Sequence, residues 1–458
     1  MKVITRRLNP QPDSPGKKGL IRNSIRASTY ALICSAAFMG MTVDYVIPYA
    51  LFLGSSTAVV GVLASVPVFI GALAQLKSAA AARRIGRKKL CVIMSILHGI
   101  LWLPVIATAF LPPAAGIPMF AVLFTLLTVA GSFEIPVWSG MLADLVPPGK
   151  RGSFFGWRMS VLGFVHIGCS AAAAFILSAF RGINPALGFG CIFLLAALFR
   201  SGSSYFVSRM HDKSRKEPFV MFPFLNFLRG FRRSNFARFT VFQAAMNFSF
   251  SLSGPYFAVY MLRELEFSYV NYMAVILAGT ITMFSLSRRW GAQADDAGNI
   301  RIVKLVSLLM PLIPVLWMFS PDVLYLIGVQ VFSGFLWSGY MIASSNFIFD
   351  AVTPAKRACA IAYFNVVNGS AVCAGALLGG VLIDALPGFW PWQGIQAVFL
   401  LSGVLRLLFR IFLARGISEV RTARTVPAVY LFTYVGGIRP LLGFTRGAQR
   451  VMRRIFSA

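Results

Sequence analysis

The chain has 458 residues, 57% of them hydrophobic and 12% charged, with a mean hydropathy of +0.74. A soluble domain carries roughly twice that charged fraction, so water is not the solvent for most of this surface. The formal net charge of +29 would suit nucleic acid, but the cations lie between apolar runs, where membrane topology and anionic lipid headgroups account for them, and no nucleic-acid partner is expected.

Residues 1–27 read as a basic tail, with seven Lys/Arg in the first 26 positions. No apolar stretch there resembles a cleavable signal peptide. Twelve apolar spans follow, each near or above the ~20 residues that cross a bilayer: 28–53, 56–78, 90–110, 117–142, 153–179, 183–207, 238–263, 267–287, 300–319, 323–349, 358–386 and 392–413. The loops after the even spans hold the cations, among them Arg83, Arg84, Arg87, Lys88 and Lys89, whereas the loops after the odd spans hold Arg181 and Arg263. This asymmetry predicts both termini and the even loops in the cytoplasm. The chain then divides into an N-terminal six-helix bundle (28–209), a linker (210–237), a C-terminal six-helix bundle (238–413) and a basic amphipathic tail (414–458). The segment from Lys213 to Arg238 interleaves cations with Phe219, Phe222, Phe224, Phe227 and Phe231. It reads as a helix lying on the anionic inner leaflet, with an ordinary linker as the alternative.

The two bundles are repeats. Asp144-Leu-Val-Pro-Pro-Gly-Lys-Arg151 recurs as Asp350-Ala-Val-Thr-Pro-Ala-Lys-Arg357, offset by 206 residues, and in the same register Gly163 falls on Gly369. Asp144, Arg151, Asp350 and Arg357 are expected on the cytoplasmic rim, where the bundles part, as a gate closed by ion pairs. The alternative is a solvated turn that only caps helices.

Ionisable residues within spans are functional candidates because burying them is costly. Glu134 lies ten residues before Asp144, hence ~15 Å up its helix. Arg158 lies seven residues after Arg151, ~10 Å up the next one. The two are expected to pair near the midplane, holding a solute group, carrying a coupling proton, or bridging two helices structurally. Asp44, just past the midplane of span 1, is a second acidic candidate, and His166 a possible proton carrier. In the second half the polar set is read as uncharged: Gln243, Asn247, Asn346, Asn365 and Asn368, with Trp138, Trp157, Trp337, Tyr340 and Tyr363 as candidate cavity walls. The six cysteines, Cys34, Cys91, Cys169, Cys191, Cys359 and Cys373, show no paired spacing. Neither a disulfide framework, a metal site nor a cofactor is expected.

Twelve spans in two related sixes, with a long central loop, resemble the major facilitator superfamily. Its signature loop between spans 2 and 3, Gly-x-x-x-Asp-x-x-Gly-Arg/Lys-Arg/Lys, is similar to Gly291-Ala-Gln-Ala-Asp295-Asp-Ala-Gly298-Asn-Ile-Arg301 in the second half. The first half keeps the end, Gly86-Arg87-Lys88-Lys89, with Ala79 and Arg83 where the Gly and Asp would stand. Gly254–Leu262, Arg151–Arg158 and Ile361–Gly369 resemble a bacterial branch whose members mostly lack an assigned substrate. The resemblance implies an all-α fold of two pseudo-symmetric bundles in a bacterial inner membrane, with a midplane site between them. Gly86, Arg87, Gly291, Asp295 and Gly298 then belong to the gate. The implied function is secondary transport of a small organic solute, with protons as a possible coupling ion. The other classes weighed are a receptor or scaffold built on the same fold, and a membrane-embedded lipid enzyme. For the enzyme the sequence offers neither metal-ligand spacing, nor a nucleophile with His and Asp, nor a phosphate-binding loop.

Overall fold

Inside a bilayer each backbone amide must be satisfied within its own segment, so long apolar runs take the helical form. The computed structural model describes residues 15–145, 151–212, 234–352, 354–386 and 394–420, and these are helical almost throughout. Eleven helices among them are long and apolar enough to cross a membrane. The remaining expected span, the seventh, is also helical: Asn235–Ser253, then Tyr256–Val259 and a π-helical turn Tyr260–Glu264. Its Gln243, Asn247, Ser249, Ser251 and Ser253 dilute its apolar content. With it the expected set of twelve is complete, and the segments are numbered span 1 to span 12 in chain order.

The helix of span 1 starts at Pro15, inside the stretch read as a basic tail. It is anchored there by Ser24, whose Oγ accepts from the His211 N–H at 2.9 Å, at the end of span 6. The aromatic-basic linker from 213 to 233 and the tail beyond 420 lie outside the described residues.

Helix ends follow local chemistry, and they repeat. Span 2 (Thr57–Ile85) opens on Ser56 and span 8 (Tyr269–Ala297) on Ser268, each side chain accepting a backbone N–H three residues on. Such caps satisfy one of the donors that a helix start leaves bare. Both helices stop at a glycine of the same conformation: Gly86 at φ 89, ψ 140 and Gly298 at φ 89, ψ 145. That region of the map is closed to side chains with a Cβ at reasonable cost. The signature-loop glycines are therefore required by the turn itself. Gly291, in contrast, faces open space.

Packing is the same in both halves. Span 1 (Pro15–Phe52) lies on spans 5 (Arg151–Phe180) and 6 (Pro185–Ser208); span 7 lies on spans 11 (Pro354–Ala385) and 12 (Gly394–Leu413). Span 2 packs on span 4 (Pro113–Leu145), and span 8 on span 10 (Val323–Ala351). The halves meet where span 2 crosses span 11 and span 5 crosses span 8. The repeated glycines mark these two crossings. A Cβ on Gly163 would stand 2.7 Å from the Phe284 ring, and one on Gly369 3.3 Å from Ala72. Large apolar side chains such as Phe164, Phe175, Leu198, Leu324 and Phe412 are left exposed on the outside, as a lipid-facing surface requires.

Candidate functional site

Span 1 is broken where its acid sits. Pro48 has no N–H, and its ring excludes the carbonyl four residues back, that of Asp44. The helix accordingly gives way to a 3-10 turn, Val43–Tyr45, before resuming at Val46. The freed Asp44 carbonyl accepts from Tyr272 Oη of the other half at 3.1 Å. The Asp44 carboxylate is held by span 5: Ser170 Oγ donates to Oδ2 at 2.6 Å, and His166 Nε2 lies 2.9 Å from the same oxygen. Asp44 and His166, separate candidates in the sequence, thus form one unit that can share a proton and that touches both bundles.

Asp44 lines a cavity of about 360 Å³ between the halves. The first half contributes Val43, Asp44 and Ile47; the rest of the wall belongs to the second half. Phe250, Phe257, Trp317 and Trp337 make it aromatic, and Tyr272, Thr280, Gln330, Ser333 and Arg406 supply polar groups. An apolar chamber with a few convergent polar groups is the usual form of a small-molecule site. On the face away from the chain termini, Arg263 of span 7 ties the halves together. Its Nη2 donates to the Ser55 carbonyl at 2.8 Å, and its Nη1 lies 3.4 Å from Thr57 Oγ1.

The expected pair of Glu134 and Arg158 is replaced by two separate arrangements. Glu134 forms its ion pair with Arg200 of span 6 and accepts from Ser95 Oγ at 2.6 Å. Arg200 also donates to Ser35 Oγ at 3.1 Å. Arg158 instead donates to the carbonyl and hydroxyl of Ser28, at 3.1 and 3.2 Å, with its guanidinium 6.0 Å from the Trp138 ring. Helix rise gives depth but not direction around the axis. Trp138 is one turn from Glu134 on the same face, so Arg158 settles a turn nearer the termini. Neither Glu134 nor Arg158 lines the cavity.

The second half is not uncharged: Arg406 of span 12 is buried, 3% exposed, and reaches the cavity. Gln243 accepts from Tyr340 Oη, Asn247 donates to Asn368 at 2.6 Å, and Asn346 is half-buried. Asn365 Nδ2 lies 3.4 Å from Gln75 Oε1 across the halves. None of these five lines the cavity, and of the five aromatic candidates Trp337 does.

At the expected gate, the side chains of Asp144, Arg151 and Arg357 lie outside those described. Asp350 accepts from Asn299 Nδ2 at 2.8 Å, next to Gly298. Asp295 is exposed on the last turns of span 8. In the first half, Arg87 pairs with Asp212 at the end of span 6, Nη2 at 2.6 Å and Nε at 3.1 Å from Oδ1. A carboxylate distant in sequence therefore serves the altered first-half loop.

The sequence reading missed Arg200 and Arg406, yet the repeat marks them. They stand 206 apart, the same offset as Asp144 and Asp350. Among the described residues no His/Cys/Asp/Glu cluster could hold a metal ion.

Two helical halves of like connectivity, meeting at two helix crossings around a mostly apolar chamber with a few polar groups, define a multi-pass membrane protein of the two-bundle carrier class. The chain belongs to the Major Facilitator Superfamily, whose family model matches residues 29–291. Its fold is similar to that of a D-xylose-proton symporter, with a TM-score of 0.68 and 12% identity, covering 88% of this chain and 100% of that one. It is similar also to a bacterial homolog of the human lysosomal transporter Spinster in an inward-facing, unoccupied conformation: TM-score 0.64, 12% identity, 90% and 100% covered. The nucleoside transporter NupG matches with a TM-score of 0.63 and 12% identity, over 87% of this chain and 99% of that one. At such identities the likeness is one of fold. A multi-drug resistance efflux pump PmrA homolog of Lactococcus lactis subsp. lactis (strain IL1403) is 30% identical over 119 residues, 26% of this chain and 27% of that protein. The chain thus matches about a quarter of that curated relative's length.

Proposed function

We propose that this protein is a proton-coupled secondary transporter that moves a small organic solute across a bacterial cytoplasmic membrane by alternating access. The observation that carries this reading is the Asp44–His166–Ser170 unit, whose Asp44 lines the inter-half cavity at a helix break tied by its own carbonyl to the other half. A proton taken up by Asp44 or His166 changes the charge the solute meets. The same turn lies where the halves must separate, so charge and conformation are linked at one place. A ligand shifts such an equilibrium by its differential affinity for the two states. Rocking toward the other state breaks the Tyr272–Asp44 and Arg263–Ser55 contacts and opens the face away from the termini. The cation-rich even loops support placing both termini in the cytoplasm, against anionic headgroups. Membership in a family of carriers supports a small-molecule solute.

The test is flux in proteoliposomes. Purified protein should drive accumulation of a component of a mass-analysed metabolite pool under an imposed proton gradient. Asp44→Asn should abolish gradient-driven accumulation while retaining exchange of labelled against unlabelled solute. Accumulation by Asp44→Asn equal to the parent would remove this residue from coupling. No gradient-dependent flux by the parent above empty liposomes would defeat the transport reading.

A further inference from the structure

Resting on that reading of the cavity, we infer that the solute carries an oxyanion, a carboxylate on an apolar ring-bearing body, and that Arg406 is its counter-charge. The two halves supply the comparison. In the first half Arg200 packs over the Phe38 ring, 5.7 Å from its centroid, and is neutralised by Glu134. In the second half the equivalent residue Arg406 packs over the Phe250 ring at 4.9 Å. Phe38 and Phe250 stand 212 apart, the offset of Gly86 and Gly298. The residue 206 beyond Glu134 is Tyr340. The repeat has kept the arginine and its aromatic shelf and replaced the carboxylate with a phenol.

The consequence is a buried guanidinium facing the cavity without an ion pair. Arg406 Nη2 donates to Ser253 Oγ at 2.8 Å and Nη1 to the Met310 carbonyl at 3.2 Å. Pro314, four residues on, has no N–H to offer that carbonyl, which accepts from the Ile313 N–H at 3.2 Å as well as from Arg406. Arg406 Nε has no hydrogen-bond partner, and among the described residues no carboxylate pairs with this side chain. Neutral oxygens orient the group but do not balance its charge. A buried cation without a counter-ion is costly, and guanidinium forks match carboxylates closely. Gln330 and Ser333 lie on the same cavity and can bond the carboxylate's remaining lone pairs. Phe250, Phe257, Trp317 and Trp337 suit an apolar ring, and the volume fits one small molecule, not a two-chain lipid. Asp44 across the chamber repels the same anion until its unit takes up a proton, which gives symport of anion and proton a direct electrostatic basis.

The experiment uses the full chain purified in neutral detergent, with melting temperature as the readout. Ligands that bind the folded state alone raise it. The probes are 3-phenylpropionate and indole-3-acetate, with their amides and the matching amines, at millimolar concentration. The parent should show upward shifts of several degrees with the carboxylates and none with the amides or amines. Tyr340→Glu restores the first-half arrangement. It should raise the melting temperature without ligand and lose the carboxylate response, whereas Tyr340→Phe should keep that response. Amides or amines stabilising as well as carboxylates would overturn the inference, as would a carboxylate response that survives in Tyr340→Glu, or none in the parent. The flux assay decides separately whether the protein transports, so gradient-driven uptake of a neutral or cationic solute would sink this inference alone.

Discussion

Arg200→Gln should be among the most damaging single substitutions in the first half. Its partner Glu134 would keep the Ser95 hydroxyl but lose the charge that neutralises it. The two side chains are 13% and 6% exposed, so solvent replaces little of what is lost. Breaking a buried pair from one side costs about 3–5 kcal/mol, most of it the desolvated charge left behind. At about 1.4 kcal/mol per tenfold, this is a loss of roughly two to three and a half decades in the folded-to-unfolded ratio. Removing both charges with Glu134→Gln and Arg200→Gln should recover all but about 1–2 kcal/mol, since amides can still bond Ser95 and each other. The assay is denaturant unfolding in detergent micelles, followed by tryptophan fluorescence for the parent, both single variants and the double. A coupling energy of about 2 kcal/mol or more is expected for this cycle, and a much smaller one for Glu134 with Arg158. Simple additivity of Glu134→Gln and Arg200→Gln would refute the claim that they form one buried unit.

Three further outcomes are expected. Gly298→Ala should lower stability by about 1–3 kcal/mol, since the residue sits at φ 89, ψ 145, where a Cβ is strained; unchanged unfolding would mean the turn relaxes freely. Arg263→Ala should speed thiol modification of a cysteine at Ile47, in the cavity, from the face away from the termini, by removing the Ser55 contact; an unchanged rate would make that contact incidental. On a cysteine-free background, Gly54→Cys should react with an impermeant reagent outside intact cells and Lys89→Cys should not. The reverse pattern would invert the topology drawn from the loop charges.

The fold was legible because a bilayer leaves an apolar run few alternatives, and because duplication wrote the architecture twice. Span lengths, loop charges and the Asp144/Asp350 and Gly163/Gly369 repeats needed no tertiary information. The site was less legible. Depth along a helix follows from its rise, but azimuth depends on packing, so depth alone pairs Glu134 with Arg158, whereas Arg200 faces it. Gln243, Asn247 and Asn365 bond Tyr340, Asn368 and Gln75 away from the chamber, and polarity alone does not separate such packing from lining. Arg406 lay in plain view within span 12. Extending the 206-residue offset past Gly369 reaches it, and the loss of Glu134's counterpart at Tyr340 marks it as different. Asp44 and His166 are 122 residues apart, and only the crossing of spans 1 and 5 joins them.

The most direct test of a site presented in turn to the two sides needs no knowledge of the solute. A cysteine replacing Ser333, on the cavity wall, is exposed to an impermeant thiol reagent in right-side-out and in inside-out vesicles. Alternating access predicts modification from both sides. It also predicts that a thiol cross-linker joining Ser55→Cys to Arg263→Cys stops modification from the face away from the termini and leaves the other face reactive. Modification from one side alone, with or without the cross-link, would contradict it.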